Sequence, residues 1–368
     1  MRMADVVIAG AGPVGLLLGC LLAGGGAQVL LCEARTGPDE RTRAIGIHPP
    51  GLAALRAAGI EDAVRAEAVA LERGEVHARG RMLASVPFGA ARPVLALPQP
   101  RTDALLRGRL HELGGELRTG GPVSGIRRTA NGVVAVTADG GEHPASFLIA
   151  ADGVRSALRA AEEVGWTRRG HPAHYAMIDI SDDGGPLVAC IHCEPTGLVE
   201  SFPLPGGRRR WVIRRTDREP VTARSFTETV LARTGTAIRI PDGDAPVSFT
   251  ASQHRADRIV RGRVVLLGDA AHETSPIGGQ GMNLGWSDAV LLAPRLLDAL
   301  ARGDDDLGDL HRRVTRRAAR AQRRSAFYMA MGAPASPPVQ VAREALIRSL
   351  GARPARGAAA RLVTMGGL

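Results

Sequence analysis

The six residues Gly10-Ala11-Gly12-Pro13-Val14-Gly15 constrain this chain more than any others. They follow a short apolar run, Asp5 to Ala9, of the kind that forms a buried parallel strand, and they open an apolar segment, Pro13 to Ala23, with helical character. Proline near its first turn and Gly24, Gly25 and Gly26 behind it bound that helix. A strand–glycine turn–helix unit of this kind forms a dinucleotide site. Gly10 permits the tight turn, Gly12 lets a pyrophosphate approach the backbone, and Gly15 lets helix and strand pack closely. The phosphates then lie on free N–H groups at the positive end of a helix. Glu33 closes the next strand, Gln28 to Glu33, where a carboxylate accepts from ribose hydroxyls and repels a ribose 2′-phosphate. An acid there favours FAD or NAD.

Further along, Leu52 to Ala58 and Thr102 to Leu113 read as helices, and Asn131-Gly132 as the turn of a hairpin joining Pro122–Arg128 to Val133–Ala138. Phe147 to Ala151 is a second buried strand, running into Asp152-Gly153. Between about Trp166 and Ala256 the chain changes to short alternating segments between Gly/Pro turns, among them Leu187–Ile191 and Trp211–Arg214, which predicts a mostly antiparallel sheet. Arg263 to Leu267 is again a buried strand, followed by a glycine-rich loop and a helix, Ser287 to Ala301. Leu307 to Met331 is an arginine-rich helix, with a break at Pro334 to Pro338 and two shorter helices after it.

The expected fold is therefore α/β. A discontinuous, Rossmann-like dinucleotide-binding domain (1–71, 99–165 and 259–330) is interrupted by a mostly antiparallel sheet domain that binds substrate (72–98 and 166–258). A C-terminal helical segment (331–368) follows.

Two later motifs narrow the reading. One is Ala150-Ala-Asp152-Gly153-Val-Arg155-Ser156-Ala-Leu-Arg159. The other is Gly268-Asp269-Ala-Ala-His272 with the loop Pro276-Ile-Gly-Gly279-Gln-Gly281-Met282-Asn283, where a buried strand delivers an acid to a glycine-rich helix start suited to developing negative charge. With the glycine turn and Glu33, in this order over roughly residues 5 to 300, the chain resembles the para-hydroxybenzoate hydroxylase family, the single-component (class A) flavoprotein monooxygenases. The resemblance implies non-covalent FAD, with NADH or NADPH as co-substrate. NAD(P)H and O2 would serve to hydroxylate or epoxidise an aromatic, polyketide-like or polyene small molecule through a flavin C4a-hydroperoxide.

By the same resemblance, Gly12, Glu33 and Val123 bind the ADP half, and Gly10, Ala11, Pro13, Val14, Gly15, Ala34 and Arg35 belong to the cofactor site. Arg43 reaches the phosphates or flavin edge, and Gln99 or Arg101 the pyrophosphate and ribityl chain. Asp152 and Gly153 belong to the cofactor site. Asp269 takes the ribityl hydroxyls, with Gly268 beside it in the cofactor site, and Gly281, Met282 and Asn283 offer backbone contacts to the flavin pyrimidine. The chemistry is the flavin's, so no catalytic side chain is assigned; Pro276 and Gly279 line the flavin loop. The family's usual Asn and Trp after Asp288-Ala289 are replaced by Val290-Leu-Leu-Ala-Pro294, and Pro294 is expected to bend or shorten that helix. Trp286 is unusually bulky for its position. The thioredoxin-like domain of the phenol-hydroxylase branch is not expected. The rival readings are an FAD-dependent reductase on the same fold and a non-catalytic flavin-binding protein. A halogenase is disfavoured because its Gly-Trp-x-Trp-x-Ile-Pro segment is absent.

Composition argues against other classes. The formal charge is +10, but all 47 basic residues are arginine, a pattern of coding bias more than of function. Aromatic residues are only 3%, too few for stacking platforms, so no nucleic-acid partner is expected. The arginine run Leu310 to Arg324 reads as a solvated face. Four cysteines make no disulfide framework, no signal peptide or membrane-length apolar run is evident, and a cytoplasmic protein is expected. Cys190-Ile-His-Cys193 has metal-ligand spacing, with His171 and His174 upstream. In a strand its two sulfurs point to opposite faces, so no metal is expected. His272 reads as a structural part of its motif.

Overall fold

The computed structural model describes residues 3–37, 44–89, 93–182, 184–217 and 219–367. Strand Ala4–Ala9 lies at the centre of the first sheet, in parallel register with Val29–Glu33 on one side and Glu142–Ala150 on the other. Glu116–Thr119 and Val264–Leu266 extend the parallel array outward. The Asn131-Gly132 signal produces the expected hairpin, Val123–Arg128 against Val133–Thr137, which pairs antiparallel with the first half of Glu142–Ala150. Val6, Val7, Ile8, Leu31, Phe147, Leu148 and Ile149 are fully buried, as near-continuous apolar runs in a parallel sheet require. Helix Pro13–Gly24 packs against both Gln99–Glu112 and Gln280–Arg302.

The second sheet has seven strands in the order Val247–Ala251, Ala173–Ser181, Arg208–Arg215, Gly197–Leu204, Val188–Glu194, Arg73–Ala78 and Arg81–Pro87. Its pairings are antiparallel except between Val188–Glu194 and Arg73–Ala78, which run parallel, so the sheet is mixed. One face is covered by helix Ala223–Thr234, whose Phe226 and Val230 pack on Val199, Trp211 and Ile213. The opposite face carries Tyr175, Cys193, Leu198 and Val212. These pack with Ile277 of the flavin loop, Met329 of helix Leu310–Met331 and Ile347 of helix Pro337–Gly351. Both faces are therefore buried, and one of them looks toward the first sheet's loops.

Pro294 does not shorten its helix. The helix runs from Gln280 to Arg302 with Pro294 inside it. Leu292, Ala293, Leu296 and Ala299 on either side of the proline are buried, and this packing outweighs the one lost hydrogen bond. The arginine-rich helix buries Leu310, Val314, Ala318, Ala321 and Ser325, while Arg312, Arg313, Arg316, Arg320 and Arg323 are exposed, as a solvated charged face should be. Among the described residues no helix is long and apolar enough to cross a membrane.

Candidate functional site

The first glycine turn is held by backbone contacts that leave no room for side chains. A Cβ on Gly10, whose φ is +103°, would lie 2.4 Å from the Ala151 carbonyl oxygen. A Cβ on Gly15 would lie 2.1 Å from the Gly10 carbonyl oxygen. Gly12 differs: a Cβ there would meet nothing within 4 Å. The turn is thus closed where it packs on the protein and open at the residue expected to meet phosphate. Glu33 is buried at the strand end, where its carboxylate accepts from the Ala11 N–H (2.8 Å) and from the N–H and guanidinium of Arg35. Burial works against its charge, but Arg35 and the two N–H groups outweigh it and hold the carboxyl below its usual range. Ala34 is exposed beside it.

The Asp152-Gly153 and Gly268-Asp269 turns close on the same helix start. Asp152 accepts from the Leu158 N–H with one oxygen, and its other oxygen is buried without a hydrogen-bond partner among the described residues. Gly153 adopts φ +81°. Arg159 donates to the carbonyls of Val154 and Ala270, tying the two turns together, and stacks over Trp166. Cβ atoms on Gly268 and Gly285 would press on Val14, and the Trp286 indole N–H donates to the Pro13 carbonyl at 3.0 Å. The bulk at Trp286 is therefore a tie between the long helix and the first turn of the glycine-loop helix. Asp269 is exposed at the mouth of this junction. The open Gly12, the buried Asp152 oxygen and the acid of Glu33 fit a dinucleotide such as FAD lying across the junction.

The loop Pro276–Gly279 leads into the long helix. Gly278 and Gly279 both adopt positive φ, and a Cβ on Gly278 would run into the Tyr328 ring at 2.5 Å. Gly281 and Met282 lie in the helix's first turn. Asn283, expected to contribute backbone contacts, uses its side chain as a clamp. It accepts from the His48 N–H and donates to the carbonyls of Gly46 and Gly279, each at 2.9 Å. The neighbouring Gln280 is fully buried, and among the described residues neither of its amide atoms has a hydrogen-bond partner. His48, also buried, is pushed down to about 4 by burial and is neutral at physiological pH. His272 is hydrogen-bonded to Asp288 at 2.7 Å, both buried. Burial lowers its pKa, but the Asp288 carboxylate outweighs burial and raises it overall. The stabilisation this gives is full below the unfolded histidine value and is lost as pH rises through the folded one.

Of the arginines singled out by sequence, Arg43 lies outside the described residues, and Arg101 is ion-paired with Glu67 at the surface. Gln99 sits at the start of its helix and donates weakly to Asp103 at 3.4 Å. The arginine that reaches the glycine turn is Arg107, which donates to the Ala11 carbonyl at 3.3 Å. Gln99, Asp103 and Arg107 recur every fourth residue, so they share a helix face, and that spacing was the available signal. Val123 is buried at the start of its strand. Cys190 and Cys193 lie in one strand. Cys193 joins the apolar layer beneath Ile277, whereas Cys190 lies across the strands from Glu75. Glu75, His77 and Cys190 form a compact group, but Glu75 is already engaged by Arg73 and His77.

Replacing Glu33 by arginine removes the carboxylate expected to accept from the ribose and sets two guanidinium groups side by side. A charge-assisted hydrogen bond is worth about 1.5–3 kcal/mol, so FAD affinity of the apoprotein should fall by roughly tenfold or more. An FAD titration of Glu33→Arg that matches the wild type would place the ribose elsewhere.

Comparison with known proteins agrees with this geometry. The profile of the family described as FAD binding domain matches residues 3–327. The 12-dehydrotetracycline 5-monooxygenase/anhydrotetracycline 6-monooxygenase of Streptomyces rimosus is 33% identical over 313 residues, which are 79% of this chain and 62% of that protein. The rifampicin monooxygenase of Rhodococcus hoagii is 30% identical over 80% of this chain and 64% of its own length. The chain thus spans somewhat under two thirds of these relatives. The crystal structure of anhydrotetracycline hydroxylase from Streptomyces rimosus superposes with a TM-score of 0.80 at 28% identity, covering 100% of this chain and 77% of that one. With three loops meeting at one helix start and a family match over most of its length, the chain belongs to the family described as FAD binding domain, in keeping with its resemblance to the para-hydroxybenzoate hydroxylase family.

Proposed function

We propose that this chain is an FAD-dependent monooxygenase that uses NAD(P)H and O2 to hydroxylate an aromatic or polyketide-like small molecule. The observation that carries the reading is the convergence of the Gly10–Gly15, Asp152-Gly153 and Gly268-Asp269 turns on the start of helix Pro13–Gly24, with the loop Pro276–Gly279 between that junction and the second sheet. FAD held there would supply the redox chemistry, hydride acceptance and dioxygen activation, that no side chain of this chain provides. The backbone N–H groups around Gly12 and the helix start take the pyrophosphate, Glu33 the adenosine ribose, and Asp269 the ribityl chain. Asp152 and Gly153 border the cofactor, and the turn at Gly281 to Asn283 offers N–H groups to the flavin. Ile277 and the apolar inner face of the seven-stranded sheet exclude water from the substrate.

We assign residues 1–71, 99–165 and 259–330 to the FAD-binding domain, 72–98 and 166–258 to the substrate domain, and 331–368 to the C-terminal helices. The named relatives act on tetracycline precursors and rifampicin, which supports a polycyclic aromatic substrate class.

The test is NAD(P)H oxidation by the FAD-loaded protein across a panel of phenols, naphthols and aromatic polyketides. Oxidation should be slow alone and at least tenfold faster with an accepted compound. A rate that no compound alters would leave the chain a flavin-binding protein or an oxidase.

A further inference from the structure

Strand Gly197–Leu204 lies in the middle of the seven-stranded sheet, and its side chains alternate between two covered faces. Val199 faces helix Ala223–Thr234. Glu200 therefore points the other way, between Leu198 and Phe202 along its strand and beside Val212 and Ile191 on the adjacent strands. Leu198, Val212 and Ile191 belong to the apolar layer that includes Ile277 of the flavin loop. Glu200 is only 4% exposed, and among the described residues no hydrogen bond or ion pair reaches its carboxylate.

The cations of the layer are committed elsewhere. Arg214 donates to the Met329 carbonyl, Arg343 to those of Met331, Ala333 and Glu194, and Arg210 is ion-paired with Asp179. A buried carboxylate without a partner costs several kilocalories unless something else supplies the donor. This one lies on the sheet face whose apolar layer includes Ile277 of the flavin loop.

We propose that Glu200 is a catalytic residue of this enzyme, accepting a hydrogen bond from a phenolic hydroxyl of the substrate and taking its proton as the ring reacts. The inference rests on the hydroxylase reading above. The step is a proton transfer: the substrate O–H bond breaks, an O–H bond to Glu200 forms, and the electron pair left on the phenolic oxygen delocalises into the ring. Nothing is oxidised or reduced in it, and the pair of groups keeps one negative charge throughout. The other titratable groups of the layer do not compete. Burial pushes Tyr175, Cys193 and Tyr328 each up to about 12, and Asp179 on the same face is paired with Arg210. Burial pushes Glu200 up to about 7, so its carboxylate forms across the neutral range and is basic enough to serve as a general base.

The test is binding, so that it reads Glu200 whether or not oxygen transfer follows. FAD-loaded protein is titrated with 1-naphthol and with 1-methoxynaphthalene, which has the same ring but no proton to donate, and the change in flavin absorbance is followed at pH 6 and pH 8. The wild type should favour naphthol at least tenfold at pH 8 and markedly less at pH 6. Glu200→Gln should bind FAD normally and lose both the preference and its pH dependence. Glu200→Asp should retain the pH dependence with a smaller preference, and serves if the glutamine variant fails to fold. Equal binding of the two compounds by the wild type, binding of neither, or a preference that survives in Glu200→Gln would overturn the proposal.

Discussion

Gly15→Val is expected to prevent accumulation of folded protein. The added Cβ would stand 2.1 Å from a backbone oxygen, and that oxygen belongs to Gly10, itself wedged against Ala151. Overpacking a core ordinarily costs about 1–3 kcal/mol when side chains can move aside. Here the obstruction is main chain on both sides, so the cost should consume most of a total stability of about 5–15 kcal/mol. Gly12→Ala is the matched control. With nothing within 4 Å it should leave the urea midpoint of the apoprotein unchanged while weakening FAD binding. Soluble yield and denaturant titrations separate the two. A Gly15→Val protein that unfolds like the wild type would mean that the turn is not built as described.

His272→Ala should destabilise the protein by about 3–5 kcal/mol at neutral pH, the usual cost of removing one partner from a buried ion pair. Asp288 is fully buried, and with His272 gone its nearest cation is Arg317, 3.7 Å from the other carboxylate oxygen. The pair joins the turn after Gly268-Asp269 to the long helix, so its loss should also loosen FAD. A thermal midpoint within a degree or two of the wild type would show that Arg317 alone balances Asp288.

The parts of the fold that sequence made legible are those written in local signals. The glycine turn, the Asn131-Gly132 hairpin and the buried runs at Ala4–Ala9 and Glu142–Ala150 each announce themselves within a dozen residues. The parallel pairing of Val188–Glu194 with Arg73–Ala78 joins segments more than a hundred residues apart, and nothing local specifies it. Pro294 misleads for a related reason: the breaker is local, but the packing that carries the helix past it is not.

Within the site, residues that act through glycine geometry could be read directly. Arg107 was overlooked because the motif around Gln99 and Arg101 ends before it, although it lies on the same helix face. The clamp made by Asn283 depends on its meeting Gly46 and His48, far away in sequence. Glu200 is the hardest case. A glutamate in an alternating strand reads as a solvent-facing residue, and only the covering of both sheet faces buries it.

In the proposed reaction this protein inserts one atom of dioxygen into an organic substrate at the expense of NAD(P)H. The most direct measurement is a turnover under isotopically labelled dioxygen, in ordinary water, with the compound that best stimulates NAD(P)H oxidation, followed by mass spectrometry of the product. The product should carry one labelled oxygen, the other leaving as water, and no product should form when oxygen is withheld. A product that gains hydrogen without oxygen, a label drawn from water, or turnover that continues anaerobically would contradict it.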